Sequence, residues 1–291
     1  MIQNAIEKAA VLIEALPYLH DFRGQTVVVK FGGSILDDNE GCLRILTDIA
    51  FMECVGMRPV VVHGGGKAIS AAMETAGIAP NFVDGLRVTD TDTISIVDRV
   101  LNTEVNPGLV EMLEGLGYRA QGVRGQSVMR AEQHVVEGKD WGFVGDVTSV
   151  DCAPIKELLD QEIVPLITPL AIDDEGQSFN INADAAATAV ARELQARKLV
   201  FVSDVPGVLR DLNDKSSLIS TITLNEVQGL IDDGTIAGGM LPKVAGAASA
   251  VASGIRKVHF IDSKMPHSLL LELFTDAGVG TQIVSGAVAK T

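Results

Sequence analysis

The chain is short of cysteine, of aromatic residues and of positive charge. Its 291 residues include 3 Cys, 9 Phe, 2 Tyr and 1 Trp, and 23 Lys and Arg stand against 38 Asp and Glu, for a formal charge of −15. Cys42, Cys54 and Cys152 share no CxxC or other regular spacing. A disulfide framework or zinc site is therefore not expected, and a reducing cytosol is the expected compartment. The acidic balance argues against a nucleic-acid or membrane-surface binder, which needs a basic patch. It leaves room for anionic substrates held by a few local cations. No apolar run approaches the roughly 18 residues of a spanning helix. The N-terminus lacks the basic-then-apolar pattern of a secretory signal. With so few aromatics, the core must come from Val, Ile, Leu and Ala, the composition of parallel strands covered by helices on both faces.

The order of the segments agrees. Ile2, Ile6, Ala9, Ile13 and Leu16 recur at helical spacing, and the pattern predicts a helix over 1–16 that Pro17 stops. This apolar stripe packs either on its own domain or on another subunit. "TVVVKFGGS" (Thr26–Ser34) and "PVVVHGGG" (Pro59–Gly66) each read as a buried strand ending in a Gly turn, followed by helices over 39–56 and 67–76. Residues 91–116 read as helical. Residues 118–135 and 142–151 alternate and contain Gly, the pattern of hairpins. "IVPLITPL", "KLVFVSDVPGVL", "KVHFID" and "GVGTQIVS" supply further strands. "SFNINADAAATAVARELQA" begins extended and becomes an Ala-rich helix, and 244–254 forms another small-residue helix. Alternating strands and helices predict a three-layer α/β/α sandwich around a mainly parallel sheet, with the hairpins at an antiparallel edge or lid and the first helix as an extra.

Two Gly turns then demand an explanation. Strand-to-helix glycines expose backbone N–H groups at a helix N-terminus, where the dipole favours an anion. A single such loop would read as a plain tight turn. Two near the start of one α/β unit, at the carboxyl ends of their strands, point to a phosphate-type ligand. No GxxxxGK[ST] is present, so the chain is not a P-loop ATPase, and no GxGxxG follows a strand. "HGGG" has the look of an esterase oxyanion loop, yet no GxSxG elbow supplies a nucleophile.

Taken together the segments resemble the amino acid kinase family over nearly the whole chain. "VVVKFGGS", "VVVHGGG", "GLRVTD" (Gly85–Asp90), "FNINADAAA" (Phe179–Ala187), "FVSDVPGVL" (Phe201–Leu209) and "GGMLPKV" (Gly238–Val244) follow in family order. The Lys-Gly-Gly turn marks the family. "HGGG" with "GLRVTD" and "NINAD" is specific to its branch acting on N-acetyl-L-glutamate. The resemblance implies ATP-dependent phosphorylation of that substrate's γ-carboxylate, in arginine biosynthesis. Mg²⁺ is expected through ATP oxygens rather than a protein cage.

The resemblance also implies roles. Lys30 and Lys243 are the two transition-state lysines, and Asp184 holds both by hydrogen bonds, unless it only caps its helix. Gly65 and Gly66 offer backbone N–H groups to substrate and the incoming phosphoryl. Arg87 pairs with a substrate carboxylate, and Asn180 binds the α-substituents, while Asn182 shapes the turn. Gly32, Gly33, Ser203, Asp204, Gly207 and Leu209 belong to the nucleotide. The acceptor carboxylate, with an ordinary pKa of about 4.3, is already ionised, so His63 is not needed as a base and is expected to hydrogen-bond locally. The implied division is 1–24 as helix and linker, 25–195 as the lobe for acetylglutamate and dimerisation, and 196–291 as the lobe for ATP.

Two stretches are similar to the arginine-inhibited members: the first helix with "YLHDFRG", and "ELFTDAGVGTQIV" (Glu272–Val284), which departs at Gln282 where an apolar residue is common. They imply an arginine site from Tyr18, His267, Glu272 and Gly278, with Glu272 countering the ligand's charge, and a hexamer built as a trimer of dimers through the first helix. The rivals are a same-fold kinase for aspartate, carbamate, glutamate or UMP, a non-catalytic sensor, and an oxidoreductase. "GLRVTD" and "NINAD" oppose the first, both lysines with Asp184 the second, and the missing dinucleotide fingerprint the third.

Overall fold

A computed structural model describes residues 2–275 and 278–286. α1 (Ile2–Phe22) runs ahead of the sheet. β1 (Thr26–Phe31) leads through the first Gly turn to α2 (Asn39–Cys54), and β2 (Arg58–His63) through the second to α3 (Gly66–Thr75). A short ribbon, β3 (Phe82–Val83) and β4 (Leu86–Arg87), precedes α4 (Thr91–Arg99), a π turn (Val100–Val105) and α5 (Asn106–Gly115). β5 (Ala120–Val123), β6 (Met129–Gln133), β7 (Val144–Val150), α6 (Ala153–Asp160), β8 (Val164–Ile167), β9 (Leu170–Ile172), β10 (Ser178–Ile181) and α7 (Ala183–Glu193) complete the first half. The second is β11 (Lys198–Ser203), β12 (Thr221–Thr223), α8 (Leu224–Asp232), α9 (Met240–Ala252), β13 (Lys257–Asp262), α10 (Ser268–Phe274) and β14 (Thr281–Val284).

The main sheet has eight strands in the order β12-β14-β13-β11-β1-β2-β8-β5. Its neighbours pair in parallel except β13 with β14. Alternate side chains of β1 face opposite layers, as the two-residue period of a strand requires. Val27, Val29 and Phe31 pack with Phe22 of α1, Ile45 of α2, Leu109 of α5 and Leu269 of α10. Val28 packs with Ile155 of α6, Ala186 of α7, Val227 of α8 and Val244 of α9. The three-layer sandwich expected from the strand–helix rhythm is therefore present. A small separate sheet of β10, β7, β6 and β9 stands beside it.

Two expectations change. β5 does not join a hairpin; it is the parallel edge strand beside β8, because its partner in register, Val164–Ile167, is fully apolar and buried. The antiparallel pair is β6 with β7. Pro17 does not stop α1, which runs on to Phe22. A proline costs the hydrogen bond to the carbonyl four residues earlier. That residue, Ile13, is exposed, so water can take the lost donor's place. Ile6, Ala9 and Leu16 are exposed as well, so the apolar stripe of α1 does not pack on its own domain. Among the described residues no helix is long and apolar enough to cross a membrane.

The last turn of α1 is pinned across the amino ends of the central strands. The Arg197 guanidinium lies 5.0 Å from the Phe22 ring centre and the Lys198 amine 4.8 Å from it. Arg197 also pairs with Asp21, and Phe274 meets Phe22 edge-on at 6.0 Å. Lys198 is buried, directly opposite Lys257 in register. Burial, helped by that like charge, pushes its amine down to about 8 from 10.5. Between those values the unfolded chain holds a proton that the folded chain does not, so this residue makes stability rise with pH there. Lys198→Met is expected to raise stability by roughly 1–3 kcal/mol at pH 7. The gain should shrink as pH passes 8, which thermal unfolding of both proteins at pH 7 and pH 9.5 would reveal. A gain that grows with pH would contradict the burial argument.

Candidate functional site

The site forms where the chain reverses direction across the sheet. β1 sits between β2 and β11, and open α/β sheets bind ligands at the carboxyl ends of strands around such a switch. Both Gly turns leave the sheet there. They touch through bare backbone: a Cβ on Gly32 would lie 3.0 Å from the Gly64 Cα, and one on Gly64 3.3 Å from the Gly32 Cα. At Gly65 a Cβ would lie 2.5 Å from Leu101 Cδ2, a contact with a side-chain tip rather than with backbone. Gly32 and Gly64 are needed by packing, whatever the ligand.

Strand parity puts Lys30 on the face of Val28, where α7 begins. Its amine meets Asp184 Oδ1 at 2.6 Å, and both side chains are partly exposed. Asp184 is not the cap of α7. Asn182 is, its side-chain oxygen accepting from the Asp184 and Ala185 N–H groups at 2.9 and 3.2 Å. The cap leaves the Asp184 carboxylate free to face Lys30, within a helix terminus that favours negative charge.

A cavity of about 370 Å³ opens beside this pair, and Lys30, Gly33, Gly65, Gly66, Arg87, Asn180 and Asp184 all line it. Arg87 is buried and held on every side. Its Nη2 donates to the Gly66 carbonyl at 2.7 Å and to Ser70 Oγ at 2.9 Å, and Nη1 to Met73 Sδ at 3.1 Å. The Phe82 ring centre lies 4.6 Å from its guanidinium carbon. Burial lowers its pKa from the usual value, yet an arginine stays charged. Asn180 donates to Thr89 Oγ1 at 3.1 Å, and that hydroxyl donates to the Arg87 carbonyl at 2.7 Å. Thr89 thus ties Arg87 and Asn180 to each other. Ser70, Phe82 and Thr89 were not singled out from sequence. Ser70 stands four residues after Gly66, one helical turn, and Thr89 lies inside "GLRVTD"; those spacings were the available signals.

Lys243 and the residues after β11 stand outside this lining. Lys243 is half-buried in the first turn of α9, which packs on α7, and makes no ion pair among the described residues. Ser203, Asp204, Gly207 and Leu209 form the loop after β11. That loop is tied down where Val208 donates to Thr281 Oγ1 at 2.9 Å and Leu209 bridges Leu218.

At the far side, Glu272 of α10 is buried and engaged. His259 Nδ1 lies 2.6 Å from Oε1, and the Val279 and Gly280 N–H groups donate to Oε2 at 2.7 and 2.9 Å. Burial is the largest single influence on Glu272 and pushes its pKa up, but His259 together with the Val279 and Gly280 N–H groups brings it below the ordinary carboxylate value. Burial holds His259 neutral, at about 4. His267 pairs with the buried Asp48 at 2.6 Å. Tyr18 packs on the core cluster that contains Phe22 and Leu269, and Gly278 takes a left-handed conformation with φ of 61°. Residues 276–277 of the C-terminal signature lie outside the described residues.

The fold and this constellation define a class. The amino acid kinase family profile matches residues 25–262, and the chain belongs to that family. Among the relatives it resembles over nearly its full length are acetylglutamate kinases. An acetylglutamate kinase of Akkermansia muciniphila is 45% identical over 289 residues, covering 97% of each chain. One of Synechocystis is 43% identical over 283 residues, covering 97% of this chain and 95% of that one. Among solved structures, the N-acetylglutamate synthase of Neisseria gonorrhoeae with coenzyme A and N-acetyl-glutamate superposes with a TM-score of 0.85. It is 28% identical and covers 96% of this chain and 64% of that one. The same synthase with coenzyme A and L-arginine gives a TM-score of 0.81 at 27% identity, covering 96% and 66%.

His63 follows β2 into the site but is fully buried. Burial pushes its imidazole down to about 4 from 6.5. Between those values the unfolded chain takes up a proton first, so stability is lost as pH falls from 6.5 to 4. In an NMR titration the His63 ring signals should stay constant from pH 8 to pH 5.5 and move only near 4. A midpoint near 6.5 would mean a solvated imidazole and would contradict the structure.

Proposed function

We infer that the chain transfers the γ-phosphoryl group of ATP to the γ-carboxylate of N-acetyl-L-glutamate, making N-acetyl-L-glutamyl 5-phosphate for arginine biosynthesis. The observation that carries this reading is the single cavity in which Lys30, Asp184, Arg87, Asn180 and the Gly65–Gly66 backbone converge. Its volume suits a small ligand. The acceptor is already an anion, so no general base is required, and the difficulty is bringing two anions together. Catalysis is then positioning and charge neutralisation.

Lys30 is the cation closest to that task, with Asp184 fixing its amine. Gly65 and Gly66 offer N–H groups that have no acceptor within the described residues. Arg87, already anchored to Gly66 and Ser70, presents a charged fork to the substrate's carboxylate. Lys243 approaches from the ATP side, with Ser203, Asp204, Gly207 and Leu209 holding the nucleotide alongside Gly32 and Gly33. Mg²⁺ arrives on ATP oxygens. The lobes divide as 25–195 for substrate and 196–291 for nucleotide, in a cytoplasmic enzyme.

L-Arginine is the proposed inhibitor, bound between α1 and the C-terminal segment near Tyr18, His267, Glu272 and Gly278. The "YLHDFRG" and "ELFTDAGVGTQIV" stretches and the buried carboxylate of Glu272 support it. The exposed Ile6, Ile13 and Leu16 of α1 support docking on a copy of the chain in a hexamer, as a trimer of dimers.

Hydroxylamine traps acyl phosphates. Purified protein with ATP should yield hydroxamate from N-acetyl-L-glutamate and not from glutamate or aspartate; silence with N-acetyl-L-glutamate would overturn the reading. Lys30→Met should lower kcat by about 10²–10³ while leaving the fold intact. Millimolar L-arginine should inhibit the wild type, and unchanged turnover would end the regulatory claim. Removing residues 1–20 should reduce the hexamer to dimers by light scattering, and an undiminished mass would place the interface elsewhere.

A further inference from the structure

His63 and Asn106 contribute no atom that the reaction needs, yet they are joined to the Gly turn by a short polar chain. His63 Nδ1 lies 2.7 Å from the Gly64 carbonyl oxygen. Because a carbonyl only accepts, the proton sits on Nδ1. His63 Nε2 is then the acceptor, and Asn106 Nδ2 donates to it at 2.9 Å. The same Asn106 amide donates to the Leu166 carbonyl of β8 at 2.8 Å, which fixes its orientation. His63, Asn106 and Leu166 are buried and Gly64 is half-buried; in such surroundings a hydrogen bond is stronger and a missing one costlier.

The chain acts on one peptide plane. The Gly64–Gly65 peptide is trans, since no cis bond occurs among the described residues. In a trans peptide the C=O and the following N–H point in opposite directions. Holding the Gly64 oxygen against His63 therefore turns the Gly65 N–H away from the buried imidazole. From the other side Leu101 sits against Gly65. Leu101 and Asn106 belong to one device, because the Asn106 N–H donates to the Leu101 carbonyl, closing the π turn. In a regular α-helix residues five apart are separated by about 140° around the axis, so they would not face one loop together. Single π turns of this kind recur at functional sites.

We propose that His63 is a positioning residue whose ring Asn106 holds in place: with Leu101 seated on Gly65, the His63–Gly64 hydrogen bond aims the Gly65 N–H at the transferring phosphoryl group. The proposal rests on the phosphoryl-transfer reading of the site. It gives the π turn a purpose, which is to set the angle of a donor whose carbon skeleton lacks a side chain to steer it. The imidazole works as a neutral strut and takes no proton during turnover.

The first measurement needs no variant. Protein labelled with ¹⁵N-histidine, its His63 signal identified by loss in His63→Asn, should show Nδ1 protonated and Nε2 bare at pH 7; the opposite tautomer overturns the proposal. Next, His63→Asn keeps an amide donor at the Nδ1 position, whereas His63→Gln reaches instead toward the Nε2 position. His63→Gln should lower kcat about 10²-fold with KM for both substrates little changed, and His63→Asn should retain most of the activity. Equal losses in the two variants, or a loss confined to KM, would reduce His63 to packing and overturn the proposal. Labelling that reports only Gly–Gly peptides should show the Gly65 amide shifted in His63→Gln and unmoved in His63→Asn. The functional reading fails separately: the wild type would then make no hydroxamate from N-acetyl-L-glutamate while the tautomer and amide results stay as stated.

Discussion

The contact between the backbones of Gly32 and Gly64 sets the limits for everything at the site. Adjacent parallel strands run about 4.8 Å apart, and the turns that leave β1 and β2 stay almost that close. A Cβ at either position would meet the other turn's Cα at 3.0–3.3 Å, so the two loops would have to separate. Separation would move Lys30, two residues before Gly32, relative to the Gly65 and Gly66 N–H groups that follow Gly64. The distance between a cation and a pair of backbone donors is thus fixed by the absence of two methyl groups.

A chain with a net charge of −15 holds an anion site by local means. Lys30 is partly enclosed against Asp184, and Arg87 is wrapped by Phe82, Ser70 and the Gly66 carbonyl. Each cation is immobilised by contacts that do not consume its whole charge. Long-range attraction contributes little across a distance beyond the screening length of about 8 Å, so the excess of surface carboxylates does not undo a preorganised cluster. The N-terminus of α3 adds a field of the right sign without adding a titratable group.

Much of this was legible in the residues because the rules involved are local. Valine runs, Gly turns and strand parity place Lys30 on the α7 face, and "NINAD" places Asp184 at the helix start. What sequence left open depends on pairs far apart in the chain. Thr89 reaches Asn180 across 91 positions, Arg87 reaches Gly66 across 21, and Asn106 reaches His63 across 43. The π turn was equally hard to read: one inserted residue shifts the helical phase by about 100°, but it does so within Val100–Val105, too short a span to set a period of its own. Pro17 misled for the opposite reason: a strong local rule gave way where the helix face was exposed and water could satisfy the freed carbonyl.

The C-terminal segment meets the loop after β11 through polar contacts. Glu272 holds the Val279 and Gly280 N–H groups, Gly280 enters β14, and Thr281 accepts from Val208 in the loop that carries Gly207 and Leu209. The carboxylate of Glu272 therefore determines the path of the backbone just before the residue that anchors that loop. Under the proposed regulation, a guanidinium arriving at Glu272 competes with those two N–H groups for the same oxygen. Both competitors make charge-assisted bonds to the carboxylate; only the guanidinium brings a full opposite charge and a paired donor fork, which favours the ligand over the backbone. A released segment 279–280 would loosen Thr281 and with it Val208. The sheet itself need not move: an inhibitor at one end of β14 can act on the nucleotide side by withdrawing a single hydrogen-bond acceptor from the loop that leads into that strand.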